Sequence, residues 1–489
     1  MKDKKLINFK VVGRVVGQLI LITGLLMLLS IPASLYYGGE DLTAIVVSSV
    51  ITISIGFIVW RENRSEENAE IKKREGYLVV FLGWLSMSVF GTMPYLISGA
   101  IPNVAEAFFE SISGFTTTGA SILTDIESLP KGILFWRSTT QWIGGLGIIV
   151  LTIAILPLLG IGGMELFAAE APGPTKDKIH PRIKETAKRL WAIYIAMTLT
   201  EVALLYIAGM SLYDAFCHAF TTCSTGGFST KNASISAFNN PVYETIIIIF
   251  MFLAGTNFNL IYFGIKGRFD KIKNNDEFKW YLIWVIALIL ILTPVIVYNV
   301  KVDFLTAFRQ AAFQVVSIVT TTGYATADYE IWGGFALTVF FLLLFSGGSA
   351  GSTSGSIKIV RIALLAKNTI NEFKRRLHPK AVIPVKMDKT IVHQSIIYNL
   401  MAFIFLYLLV FVIGSVIMAS FGLDILTASS AVATSLGNVG PGIGTIGPTE
   451  NFHHLPDLGK VFLGFLMLVG RLELFTVILI FTPYFWKRG

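Results

Sequence analysis

The sequence predicts an all-α integral membrane protein with four pseudo-symmetric helix–pore loop–helix repeats around a central pore, preceded by an extra N-terminal helical hairpin. Three observations predict this. The 489 residues are 54% hydrophobic and only 14% charged, with a mean hydropathy of +0.69, far more apolar than an average soluble chain. Runs of about 20 apolar residues, the length that crosses a bilayer, recur along the whole chain. A short motif, Thr116-Thr117-Thr118-Gly119, returns as Cys223-Ser224-Thr225-Gly226, Thr320-Thr321-Thr322-Gly323 and, degenerately, Gly437-Asn438-Val439-Gly440.

Uncharged spans are expected at 15–35, 42–60, 77–101, 138–164, 245–265, 280–300 and 395–423. Three more carry isolated charges: 190–213 with Glu201, 331–365 with Lys358 and Arg361, and 461–486 with Arg471 and Glu473. The first span is too long for a signal peptide and pairs with the second across Gly38-Gly39-Glu40-Asp41. The chain then divides into a hairpin at 1–66 and repeats at 67–175, 176–272, 273–378 and 379–489.

Basic residues set the orientation. Lys2, Lys4, Lys5, Lys10 and Arg14 precede the first span, while Arg61, Arg64, Lys72, Lys73 and Arg74 follow the second. Further clusters at 176–189, 266–279, 358–389 and Lys487-Arg488 keep the alternation. Both termini are therefore expected in the cytoplasm, with all four pore loops entering from outside. The same placement accounts for the net charge of +8, which sits in short loops and not on a nucleic-acid-binding face.

The motif glycines are 107, 97 and 117 residues apart, and half-helices are expected before them at 107–115, 215–222, 308–319 and 428–435. Non-helical backbone at membrane depth is tolerated only where protein buries it or it lines a watery cavity, so four such turns in register point to a pore. Glycine relaxes the backbone, letting carbonyl oxygens turn inward and replace the water shell of an alkali cation, with threonine hydroxyls as further ligands. The candidate filter is Thr117, Thr118, Gly119, Ser224, Thr225, Gly226, Thr321, Thr322, Gly323, Asn438, Val439 and Gly440. Potassium at these residues is the only metal expected.

Arg471, well inside the last span, costs about 2.5 to 3.5 kcal/mol to insert and should face the bundle interior or water. Glu473 is a poor partner, because residues two apart on a regular helix point to nearly opposite sides. The run Gly347-Gly348-Ser349-Ala350-Gly351-Ser352-Thr353-Ser354-Gly355-Ser356 breaks a span with small polar residues and reads as an intramembrane loop, either a gate that swings aside below the filter, with Arg471 as a fixed positive charge beside it, or a passive kink for packing. It lacks the spacing of a phosphate-binding loop. Trp142-Ile143-Gly144-Gly145-Leu146-Gly147 and Gly255-Thr256-Asn257-Phe258-Asn259 read as helix-packing sites, and Glu110 and Gln314 as braces for the pore helices. Cys217 and Cys223 are expected as free thiols, and the six histidines as structural or solvated.

With these residues, the chain resembles the Trk/Ktr/HKT superfamily of potassium transporters, most closely its TrkH branch. The resemblance rests on the four filter glycines, the loop at 347–356, Arg471 and the segment Ala171-Pro172-Gly173-Pro174-Thr175-Lys176. It implies a homodimer, each protomer with its own pore, docked on cytosolic nucleotide-binding RCK subunits of the TrkA kind, so that nucleotide binds only the partner. It implies Gly119, Gly226, Gly323 and Gly440 in the filter, Arg471 below it and 347–356 as its gate. Sodium-selective plant relatives have serine at the first filter glycine, so Gly119 implies potassium, or potassium with some sodium. The missing threonines around Gly440 depart from fourfold equivalence.

The expected function is potassium uptake across a bacterial cytoplasmic membrane through a gated pore, driven by membrane potential, without covalent cofactor or catalysis. A sodium- or proton-coupled transporter is the alternative, for which Glu201 is the lone acid inside an outer span. A lipid-modifying membrane enzyme would need a catalytic pair or metal carboxylates at a membrane face, and no such cluster stands out.

Overall fold

The structure, a computed structural model, describes residues 7–64, 72–150 and 179–487. Lys2, Lys4, Lys5, the segment 171–176, the expected span at 138–164 beyond residue 150 and Arg488 lie outside the described residues. Among those described, six single helices are long and apolar enough to cross a bilayer, and two sharply bent helix pairs pass the same test. The remaining expected spans are the one running beyond residue 150 and the one interrupted by the loop at 347–356.

The hairpin runs up through Phe9–Met27 and Ile31–Tyr36 and returns through Leu42–Glu62. Its helices touch backbone to backbone: a Cβ on Gly56 would lie 2.4 Å from Leu21 N, and one on Gly17 2.6 Å from Trp60 N. Small residues permit that approach where lipid supplies no hydrophobic drive. Asp41, in its turn, accepts a hydrogen bond from the Ser34 hydroxyl and one from Ile133 N at 2.7 Å, pinning the hairpin to the first turn of an inner helix.

Each repeat then supplies an outer helix, a short pore helix and an inner helix. The outer helices are Lys73–Gly91, Ile179–Ile207, Asp276–Val300 and Gln394–Ser420, and the pore helices Val104–Phe115, Leu212–Cys223, Phe304–Val319 and Ile425–Gly437. The pore helices begin three or four residues before the expected half-helices because capping residues start them. Asn103, Ser211, Asp303 and Asp424 each accept from a backbone N–H of the first turn, satisfying donors that a helix start leaves unpaired.

The inner helices differ from one another. The first, Lys131–Val150, is unbroken as far as it is described. The second is not the straight span expected over 245–265: Pro241–Ala254 and Phe258–Ile265 meet at 108°. The third stops at Leu343 and resumes as Ile359–Leu377 after the Gly/Ser loop. The fourth bends by 110° after Arg471, so that residue ends a helix instead of lying midway along one. An antiparallel two-stranded hairpin, Lys386–Met387 with Thr390–Ile391, joins repeats three and four.

Candidate ion-conducting site

All four pore helices end in the same way. A backbone N–H two or three residues past the helix end reaches the carbonyl five back: Thr118 N to Ser113 O at 2.8 Å, Gly226 N to Thr221 O at 2.8 Å, Thr322 N to Ser317 O at 2.8 Å and Val439 N to Thr434 O at 3.0 Å. This stop needs a left-handed residue, supplied by Thr117, Thr225, Thr321 and Asn438 at φ 51°, 55°, 58° and 53°. Three of these are β-branched, for which the conformation costs about 1–3 kcal/mol, a strain that accumulates at functional sites.

The left-handed glycine two residues further on is Gly119, Gly227, Gly323 and Gly440. The second repeat is therefore one residue out of the register expected from sequence: Gly227, not Gly226, matches the other three glycines, and Gly226 matches Thr118, Thr322 and Val439. The tandem glycines after Thr225 concealed the shift, since only the backbone conformation distinguishes them.

In this register the ring closes. A Cβ on Gly119 would lie 2.1 Å from Gly226 O, on Gly227 1.9 Å from Thr322 O, on Gly323 2.1 Å from Val439 O, and on Gly440 2.8 Å from Thr118 O. Each glycine thus abuts the equivalent carbonyl of the next repeat, in the cyclic order one, two, three, four. The C-terminal, partially negative ends of the four pore helices converge on this ring. Outside it opens a cavity of about 160 Å3, lined by the four glycines and the segments that follow them.

Buried side chains hold the ring. Glu110 accepts from Ile122 N at 3.0 Å, Ser121 Oγ at 2.9 Å and Arg137 Nε at 2.6 Å. Arg137 lies 3.5 Å over the Phe228 ring and donates to Ser229 O at 2.9 Å, joining repeats one and two. Gln314 Nε2 donates to Ala327 O at 3.0 Å. Ser113 and Ser317 donate to the carbonyls of Ala120 and Tyr324, just beyond their filter glycines. His218 lies between Asp214 O and Ser229 Oγ. Cys217 and Cys223 are free and buried.

The loop at 347–356 packs against the ring segments and neighbouring backbone. Gly355 N donates to Thr321 Oγ1 at 2.6 Å, and a Cβ on Gly355 would lie 2.4 Å from Gly437 O. Ser349 N donates to Gly255 O, Phe258 N to Gly351 O and Thr353 N to Ala254 O, so the Gly255–Asn259 stretch is a helix break that receives the loop rather than a simple packing site. Ala350 N donates to Glu277, and Thr353 Oγ1 to Cys223 O at 3.1 Å. Arg471 Nη1 donates to Thr353 O at 2.8 Å. Glu473 pairs with Arg361 across the chain, its backbone turned left-handed with Leu474 at the bend.

Sequence reasoning passed over Arg137 and Gln141, and it marked Arg361 only as a charge within a span, without its partner Glu473. Gln141 is one amide inside an apolar run, the only signal of its part in the ring.

Comparison with known proteins follows the same lines. Residues 42–488 match the family model TrkH, described as a cation transport protein. A relative from Salmonella typhimurium, the Trk system potassium uptake protein TrkH, is 41% identical over 98% of this chain and all of its own length. The Trk system potassium uptake protein TrkG of Escherichia coli is 34% identical over 98% of this chain and 99% of its own. The crystal structure of the potassium transporter TrkH from Vibrio parahaemolyticus superimposes with a TM-score of 0.90 at 36% identity, covering 98% of this chain and 100% of that one.

Proposed function

Because this chain belongs to the TrkH family of cation transport proteins, we propose that it takes up potassium through a gated pore whose filter is the four-carbonyl ring. The observation that carries the reading is the closed cyclic contact of Gly119, Gly227, Gly323 and Gly440 with the oxygens of the next repeat. Thr118, Gly226, Thr322 and Val439 present carbonyls to a dehydrated cation, and the helix ends behind them favour positive charge. An inside-negative potential supplies about 2.3 kcal/mol per charge per 100 mV, so uptake needs no reaction on this chain. The relatives are named for potassium uptake, not for an enzymatic activity.

Residues 347–356 form the gate beneath the ring, with Arg471 fastened to Thr353 O as the positive charge on the cytoplasmic side. The membrane is the cytoplasmic one, with both termini inside and the pore loops entering from outside, as the basic clusters favour. The protein works as a homodimer on a cytosolic nucleotide-binding RCK ring, which the family resemblance supports. A gradient-coupled mechanism would need an acid on the ion path. Glu201, the acid singled out from sequence, instead accepts from the Cys223 thiol at 3.3 Å and is not among the residues lining the cavity outside the ring, where the acid is Glu450.

Potassium flux into liposomes bearing the purified chain, at fixed voltage with and without sodium or proton gradients, tests this. Flux that follows voltage alone is expected, and flux that collapses with either gradient would overturn the uncoupled mechanism. Gly119→Ser is expected to lower potassium-over-sodium preference by about tenfold or more, the cost of a misplaced filter oxygen.

A further inference from the structure

Three repeats place a β-branched side chain at the residue whose carbonyl enters the ring: Thr118, Thr322 and Val439. The second repeat has Gly226 there, although its φ is not in the left-handed region that would require glycine. The space is filled from another repeat. Gln141, fully buried on the inner helix Lys131–Val150, puts its Cδ and Oε1 each 2.4 Å from where a Gly226 Cβ would stand. Its carboxamide clamps the strand on both sides, with Nε2 donating to Gly226 O at 2.7 Å and Oε1 accepting from Phe228 N at 3.0 Å.

We propose that Gln141 is a specificity-determining positioning residue: its carboxamide is the surrogate side chain of Gly226 and fixes the direction of the second repeat's ring carbonyl. The inference rests on the filter reading above and names a residue outside the motif that completes it. Tandem glycines are the most freely rotating pair a chain offers, so Gly226-Gly227 without this clamp has no other side chain to hold its shared peptide. The donated hydrogen bond also occupies one lone pair of Gly226 O, making this oxygen a weaker cation ligand than Thr118 O, Thr322 O or Val439 O. The ring is thereby asymmetric in field as well as in sequence.

The test is a swap measured in liposomes by the ratio of potassium to sodium flux. Gln141→Leu keeps the bulk and removes the amide, and is expected to retain flux while lowering the ratio about three- to tenfold, the effect of one positioning hydrogen bond. Gly226→Thr alone drives its Cβ into Gln141 and is expected to abolish flux. Gln141→Ala with Gly226→Thr gives the second repeat the residue type of the others and vacates its space, and is expected to recover both flux and preference. An unchanged ratio in Gln141→Leu would overturn the proposal, as would a double variant no better than Gly226→Thr. Should the leucine variant not assemble, the comparison of double with single variant decides alone. Wild-type potassium flux in the same vesicles checks the underlying filter reading separately.

Discussion

Gly227 shows how far single residues were legible. The threefold recurrence of Thr-Gly exposed the ring of turns, yet the choice between two adjacent glycines depends on which of them turns left-handed, Gly227 at φ 77°, and that leaves no trace in composition. The structural register makes a direct prediction. Gly227→Ala puts a methyl group 1.9 Å from Thr322 O at a φ of 77°, where an L-residue already costs about 1–2 kcal/mol. It should reduce potassium flux at least as severely as Gly119→Ala, by about tenfold or more; near-normal flux would mean that the register described here is wrong. At the outer surface, hydrogen bonds from Asn232 and Ser128 hold the Asp125 carboxyl below its usual value. A lowered folded value stabilises the link between the first two repeats above about pH 4, the unfolded value, and that contribution is lost as pH falls through the folded one. Exchange of the Ile126 amide, which donates to Asn232 at 2.6 Å, should therefore quicken below that range after correction for the intrinsic rate.

Among elements, the Gly/Ser loop was evident from composition, because ten small residues cannot continue an apolar helix. The sharp bends after Ala254 and Arg471 were not, since hydrophobicity continues through both and periodicity over so short a run does not resolve a turn. Their cause lies in tertiary contacts: the broken second helix offers Ala254 O, Gly255 O and Phe258 N to the loop, backbone groups that an intact helix would have used. Loop and filter also touch directly, through Gly355 N and Thr321 Oγ1. Thr321→Val keeps the shape but leaves that buried N–H unpaired, at a cost of about 1–3 kcal/mol to the closed loop. Flux through the purified chain alone should rise about tenfold if the loop gates the ring as proposed, while Thr321→Ser should stay near wild type. Equal behaviour of the two variants would remove the hydroxyl from the gate.

For the whole molecule, the membrane-spanning character and the fourfold plan were readable because bilayer thickness and repetition both write themselves into sequence, whereas six single spans and two bent pairs stand among the described residues against the ten expected. The order of the repeats around the axis was not readable, because it is fixed by contacts between segments about a hundred residues apart and, where Gly440 meets Thr118, more than three hundred apart. Nor was the attachment of the extra hairpin, which rests on Asp41 receiving Ile133 N. Asp41→Ala should lower thermal stability in detergent by about 0.5–2 kcal/mol, as loss of a helix cap does, and leave the potassium-to-sodium ratio unaltered. A changed ratio would show that the hairpin shapes the filter.

The ring in which every glycine leans on its neighbour's oxygen has no slack. Widening one quadrant moves the seat of the next, so a change of ionic preference is not a local adjustment: it passes around the hoop and returns to where it began. Variants that alter preference without loss of throughput should therefore come as compensating sets spread over several quarters of the chain.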